Sequence, residues 1–184
     1  DDAVMLLVFG GSLGARHINR AVGALKDALL ARENLYVVHI TGPKEFDAVQ
    51  EELALGDEER KRWMLLPYQD RMAETLAAAD CAISRAGATS LAEISAIGLP
   101  ALLVPFPFAA EDHQTTNARA YVAGGAAFMQ RDDELDAPSF EEKLFSLVDD
   151  ASLRARMHEA AAGFKTRDAA ANLADVVCRV AHAG

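Results

Sequence analysis

The chain has 184 residues, 51% of them hydrophobic, with 18 lysines and arginines against 28 aspartates and glutamates, a formal charge of −10. That acid excess argues against gripping nucleic acid through its phosphates or settling on an anionic membrane, since both need a basic face. The length fits a single domain over 1–184 with one sizeable core.

From the amino terminus onward, short apolar runs alternate with amphipathic stretches. Residues 3–9 (AVMLLVF), 36–40 (YVVHI), 64–66, 81–84, 101–104 and 126–129 have strand length. Most lack polar alternation, as parallel strands covered on both faces do. Helical patterns occupy 14–31, 44–55, 70–79, 90–97 and 113–123. This alternation predicts an α/β fold, a Rossmann-like doubly wound parallel sheet. After residue 129 the pattern is helical only, near 139–149, 151–163 and 168–182, and these helices are expected to cover the sheet or reach towards a neighbour. The acidic stretch 131–136 reads as a solvated turn. Cys81 and Cys178 sit far apart in apolar segments and read as buried free thiols in a reducing compartment. No run approaches the roughly 18 apolar residues that span a bilayer, so no membrane crossing is expected. The chain begins Asp1-Asp2, with neither an initiator methionine nor a signal peptide, and reads as a piece of a longer polypeptide.

Ligands of such sheets bind beyond the carboxyl ends of the strands, which directs attention to the loops after them. The first is Gly10-Gly11-Ser12-Leu13-Gly14-Ala15-Arg16. Its glycines let the backbone approach a ligand, and the amides and dipole of the following helix favour an anion. The spacing is neither G-x-G-x-x-G nor a P-loop, and His39-Ile40-Thr41-Gly42 stands where a dinucleotide site would place an acid. A tight turn without a ligand is the alternative.

After the third strand, Tyr68 in Leu66-Pro67-Tyr68-Gln69-Asp70-Arg71-Met72 offers a ring for a flat base, unless Tyr68 and Met72 merely cover the core. After the fourth, Ser90-x-x-Glu93 matches a helix capping box, but the carboxylate can equally accept from a ribose diol. Gly98 and Pro100 then stop that helix. After the fifth, Asp112, His113, Gln114 and Asn117 crowd one helical turn with groups suited to sugar hydroxyls. Asp112 also fits a plain N-cap, and His113 has no metal set beside it. No nucleophile motif such as G-x-S-x-G occurs.

The pieces GGSLGA (10–15), PYQDRM (67–72), SRAGATSLAEI (84–94) and GLPALLVPFPFAAEDHQTTNA (98–118), in this order and spacing, resemble the carboxyl-terminal half of the MurG family. These bacterial transferases move GlcNAc from UDP-GlcNAc to lipid I, making lipid II for peptidoglycan. The resemblance covers nearly the whole chain. It implies one half of a two-domain GT-B fold, in which the absent amino-terminal domain meets the membrane and the lipid acceptor while this one holds the donor.

By that similarity Gly11, Ser12 and Gly14 hold the diphosphate, and Tyr68, Gln69 and Met72 line the uracil pocket. Arg85, Ala88, Thr89 and Ser90 border the nucleotide, and Glu93 holds the ribose hydroxyls. Gln114 reads the GlcNAc hydroxyls with help from Asn117, and Thr115 stands where some members carry a second glutamine. The resemblance implies no metal or other cofactor, no nucleic-acid partner, no membrane insertion by this domain, and a cytoplasmic, membrane-peripheral location for the whole enzyme. Catalytic groups are expected mainly in the other domain, so that this half alone binds UDP-GlcNAc weakly and transfers nothing. Arg16 and Arg85 are the cations expected to offset the surplus acid near the diphosphate. A separate subunit of a two-chain transferase and a non-catalytic nucleotide-sugar module are the competing readings.

Overall fold

The computed structural model describes residues 2–10, 15–109 and 112–164. Six strands, β1 (Val4–Phe9), β2 (Leu35–Ile40), β3 (Trp63–Leu66), β4 (Cys81–Ser84), β5 (Ala101–Leu103) and β6 (Ala127–Met129), form one sheet in the order β3-β2-β1-β4-β5-β6. Every pairing is parallel. The register is level at one edge. Phe9 lies opposite both Ile40 and Ser84, Ile40 opposite Leu66, Ser84 opposite Leu103, and Leu103 opposite Met129. All six strands therefore end along one line, and the chain direction across the sheet reverses between β1 and β4. That reversal is where a doubly wound sheet opens a crevice.

The connecting helices are α1 (Arg16–Ala24), α2 (Lys26–Leu30), α3 (Phe46–Leu53), α4 (Met72–Ala78), α5 (Ala88–Ile97), α6 (His113–Ala123), α7 (Pro138–Asp149) and α8 (Ala151–Ala161). Strand side chains alternate between two cores. Leu6, Val8, Val37, Ile83 and Leu102 pack with Ile18 and Val22 of α1, Val49 and Leu53 of α3, and Phe140 and Leu144 of α7. Leu7, Phe9, Ala82 and Leu103 pack with Leu76 of α4, Leu91 and Ile94 of α5, and Ala118 of α6. Burial on both faces is why the strands read as unbroken apolar runs. At about 1.5–3 kcal/mol for each fully buried large side chain, these two layers outweigh the exposed ion pairs, worth roughly 0–1 kcal/mol each.

Most element boundaries shift by one or two residues from the sequence expectation, and two of the differences have a local cause or a bearing on the site. The stretch predicted as one helix over 14–31 is divided at Leu25, whose backbone (φ −96°, ψ 12°) leaves the helical region and whose N–H bonds the carbonyl of Val22, the tighter hydrogen bond of a helix end. The helix predicted from residue 90 begins at Ala88. Gly98 ends it in the left-handed conformation, as expected. α7 packs on the first core, as predicted for the later helices. The predicted helix 168–182 and Cys178 lie outside the described residues. Cys81 is buried, and its burial pushes the thiol up to about 12, so it stays protonated and unreactive. Among the described residues no helix is long and apolar enough to cross a membrane.

At the carboxyl end of β2 a fully buried His39 anchors this edge. Asn19 of α1 donates through Nδ2 to the Thr41 carbonyl, so its Oδ1 is the acceptor for His39 Nε2 at 3.0 Å. The proton is thereby placed on Nε2, and Nδ1 has no hydrogen-bond partner among the described residues. Desolvation lowers the His39 pKa from 6.5 to about 4. The unfolded chain takes up this proton near 6.5, whereas the folded chain refuses it until about 4. Stability held above pH 6.5 should therefore fall by about 3 kcal/mol as pH drops to 4, at about 1.4 kcal/mol for each pH unit between the two values. Urea unfolding at pH 7 and pH 4.5 checks this, and His39→Gln should remove that share of the acid sensitivity.

Candidate functional site

The loops leaving the level edge enclose a cleft of about 620 Å3. Its floor is Phe9 and Gly10 at the end of β1 with Ile40 at the end of β2 and Gly42 beyond it. Gly42 has φ 84°, a turn that L side chains rarely adopt, and it takes the chain out of the sheet beside the cleft. One wall is Pro67, Tyr68, Gln69 and Met72, and the other runs from Arg85 to Glu93 along the start of α5. Phe106 and Gln114 form the rim.

On the first wall, Tyr68 is exposed and Met72 leans on the second core. Gln69 closes its own turn, accepting the Arg71 N–H at 3.1 Å, while its main-chain N–H and C=O make no hydrogen bond to described main-chain groups. A flat ring against Tyr68 would find those two groups free.

The opposite wall removes the capping reading of Glu93. Gly87 is the N-cap of α5 and makes no side-chain cap bond, so Ser90 is the third residue of the helix and not its cap. The Ser90–Glu93 capping box is therefore absent. Glu93 is half-buried, lines the cleft, and carries no hydrogen bond or ion pair among the described residues. The first intrahelical bond here is from Leu91 N–H to the Gly87 carbonyl, which leaves the earlier amides and the positive end of the helix dipole facing out.

Arg85 is the buried charge of the site, its side chain 10% exposed. Its Nη1 donates to the carbonyls of Val104 (3.3 Å) and Pro105 (3.2 Å), and its guanidinium lies 5.4 Å from the centre of the Phe106 ring. The same nitrogen faces Asp132 Oδ1 at 2.5 Å, an ion pair without hydrogen-bond alignment. The other Asp132 oxygen lies 2.6 Å from His17 Nδ1. Asp132 thus contradicts the reading of 131–136 as a solvated turn: its side chain is 7% exposed, whereas Arg131 and Asp133 pair at the surface. Arg16 is exposed and bonded to Glu45 at 2.9 Å, which holds the guanidinium above and the carboxyl below their usual ranges. Neither predicted cation is free to offset the acid surplus, because each already has a carboxylate.

On the rim, Gln114 Oε1 accepts the Phe106 N–H at 3.0 Å, and Nε2 lies beside Gly87. Thr115 and Asn117 do not line the cleft, and Asn117 instead donates to the Ala86 carbonyl at 3.4 Å. Asp112 occupies the N-cap of α6 in the left-handed region (φ 53°) but makes no side-chain cap bond. Gly11, Ser12 and Gly14 lie outside the described residues.

The structure therefore brings together Tyr68, Gln69, Met72, Arg85, Ala88, Thr89, Ser90, Glu93 and Gln114. It adds Phe9, Gly10, Ile40, Gly42, Pro67, Gly87 and Phe106, which sequence reasoning missed as lining residues. Most of these stand within two residues of a strand end, the signal that could have found them. Among the described residues no group of three or more His, Cys, Asp or Glu side chains is placed to hold a metal.

Residues 5–173 match the model of the glycosyltransferase family 28 C-terminal domain. The chain is 42% identical over 176 residues to the UDP-N-acetylglucosamine–N-acetylmuramyl-(pentapeptide) pyrophosphoryl-undecaprenol N-acetylglucosamine transferase of Gloeobacter violaceus, covering 96% of this chain and 48% of that protein. The protein of that name from Carboxydothermus hydrogenoformans is 42% identical over 167 residues, covering 91% and 44%. The chain spans about half the length of these curated relatives. A crystal structure of MurG from Acinetobacter baumannii superposes with a TM-score of 0.81 at 29% identity, over 96% of this chain and 52% of that one. The glycosyltransferase VinC, solved with dTDP, shares the fold at a TM-score of 0.71 and 17% identity, over 99% and 42%. The fold is the Rossmann-like half of a GT-B glycosyltransferase.

With no cap to lose, Glu93→Ala is expected to change stability by less than about 0.5 kcal/mol, the range of substitutions that remove no partner. A melting curve with no nucleotide present checks this.

Proposed function

The chain belongs to glycosyltransferase family 28 as its C-terminal domain, and from that premise we propose that it is the donor-binding half of an inverting transferase carrying GlcNAc from UDP-GlcNAc to lipid I. The observation that carries this reading is Glu93, a cleft carboxylate without a partner among the described residues, in a chain whose other charged residue lining the cleft, Arg85, is paired. A carboxylate with free lone pairs beside a helix start suits a vicinal diol, which donates two hydrogen bonds to it. Uracil would lie against Tyr68 and Met72 and pair with the main chain of Gln69. Ala88, Thr89, Ser90 and Arg85 would border the nucleotide, and the Gln114 amide would read the sugar.

The diphosphate would sit at the start of α1, held by Gly11, Ser12 and Gly14. As the bond to UDP breaks, charge grows on the leaving diphosphate, and fixed amides at a helix start stabilise it there. This assigns that role to the backbone and not to a divalent cation. In the whole enzyme a base would take the proton from the acceptor's 4-hydroxyl, with the acceptor held by the part of the relatives that this chain does not span. The whole enzyme would act at the cytoplasmic face of the membrane.

Calorimetry with UDP, UDP-GlcNAc and UDP-GalNAc tests the reading. All three should bind, UDP-GlcNAc tighter than UDP-GalNAc, with no effect of a chelator. Glu93→Ala should weaken UDP by about 2 kcal/mol, roughly 30-fold, the loss of charge-assisted bonds to the ribose. The chain alone should transfer no sugar. Absence of heat with all three nucleotides would discard the donor site, and preference for a non-uridine nucleotide would move the chain to another transferase specificity.

A further inference from the structure

Asp132 does not line the cleft, yet through Arg85 and His17 it ties together three elements that shape the cleft. It begins the single turn Asp132–Glu134 after β6, and its carboxylate reaches Arg85 after β4 and His17 in the first turn of α1. Arg85 in turn holds two successive carbonyls, Val104 and Pro105, and the next N–H along, that of Phe106, fixes the oxygen of Gln114. That bond fixes the orientation of the amide, so its NH2 donors point to the side of Gly87.

We propose that Asp132 is a positioning residue for sugar recognition, setting the Gln114 amide through Arg85 and fixing that amide relative to the start of α1 through His17. The inference rests on the donor-site reading above. Arg85 reaches the loop after β5 from the loop after β4, so its orientation needs a fixed counter-charge. Asp132, 7% exposed, supplies it. Without that carboxylate the guanidinium is a buried cation without its counter-ion and turns towards water or ligand, which releases the two carbonyls. The loop at Phe106 then loosens, and the Gln114 amide loses the orientation that distinguishes one hydroxyl configuration from its epimer. The nucleotide contacts proposed at Tyr68 and Gln69 lie on the loop after β3, and Glu93 sits in the second turn of α5 with no bond to Arg85 or Asp132 among the described residues.

Asp132→Asn, close in shape but uncharged, tests this by calorimetry with UDP, UDP-GlcNAc and UDP-GalNAc. The expected result is UDP affinity within about threefold of the unsubstituted chain, and a preference for UDP-GlcNAc over UDP-GalNAc reduced about tenfold, the size of one hydrogen bond. Asp132→Glu, which keeps the charge, should restore part of that preference. A merely structural role would lower the melting temperature and weaken all three ligands in proportion, and that result overturns the proposal. So does an unchanged preference in Asp132→Asn. Should that variant fail to fold, His17→Gln on an exposed side chain gives the second reading: a smaller loss of preference supports the tether, and none overturns it. If the unsubstituted chain binds no uridine nucleotide, the donor site and this proposal fall together. If it binds UDP without sugar preference, the Gln114 assignment and this proposal fall while the nucleotide site stands; if Asp132→Asn keeps the preference, only this proposal falls.

Discussion

The level register at Phe9 governs everything at the site. Because Phe9 stands opposite Ile40 on one side and Ser84 on the other, β1, β2 and β4 release their chains at the same height. The loop after β2 starts on one side of β1 and the loop after β4 on the other. Slipping β4 by one residue would exchange Ile83 and Ala82 between the two cores and turn Arg85 away from Val104. Burial on both faces enforces the register, and the register makes a cleft from residues far apart in sequence.

A net charge of −10 is unusual for the nucleoside-diphosphate receptor proposed above. The sum over the molecule decides little here, because exposed charges are screened beyond about 8 Å at physiological salt. What acts inside the cleft is local. Arg85 and Arg16 are neutralised by Asp132 and Glu45, so neither offers a free cation. The start of α5 contributes a partial positive charge of about one half, fixed in direction. Glu93, placed on that helix, is the one cleft carboxylate without a partner among the described residues, and a diol suits it better than a phosphate.

The sheet was legible because parallel strands buried on both faces must be apolar throughout. Loops after such strands could therefore be named from sequence, and the positions of Tyr68, Gln69, Arg85, Glu93 and Gln114 at one cleft follow from that rule. The pairing of His17 with Asp132 was not legible, since 115 residues separate them and only the fold brings them together. The capping box failed for a local reason: Gly87 takes the extended conformation (ψ 150°) that starts the helix earlier, which places Ser90 inside it. Helix phase explains α6. At about 100° per residue, Gln114 facing the cleft turns Thr115 aside, while Asn117 meets the Ala86 carbonyl.

The central claim is geometric, that the crevice at the strand-order reversal between β1 and β4 holds a uridine nucleotide. A crystal structure of the chain with UDP bound tests it most directly. Uracil packed against Tyr68 and Met72, with both ribose hydroxyls within hydrogen-bond distance of Glu93, is the predicted result. UDP lodged at the opposite edge of the sheet, in the shallow cleft beside Asp80, Arg154 and His158, would contradict it.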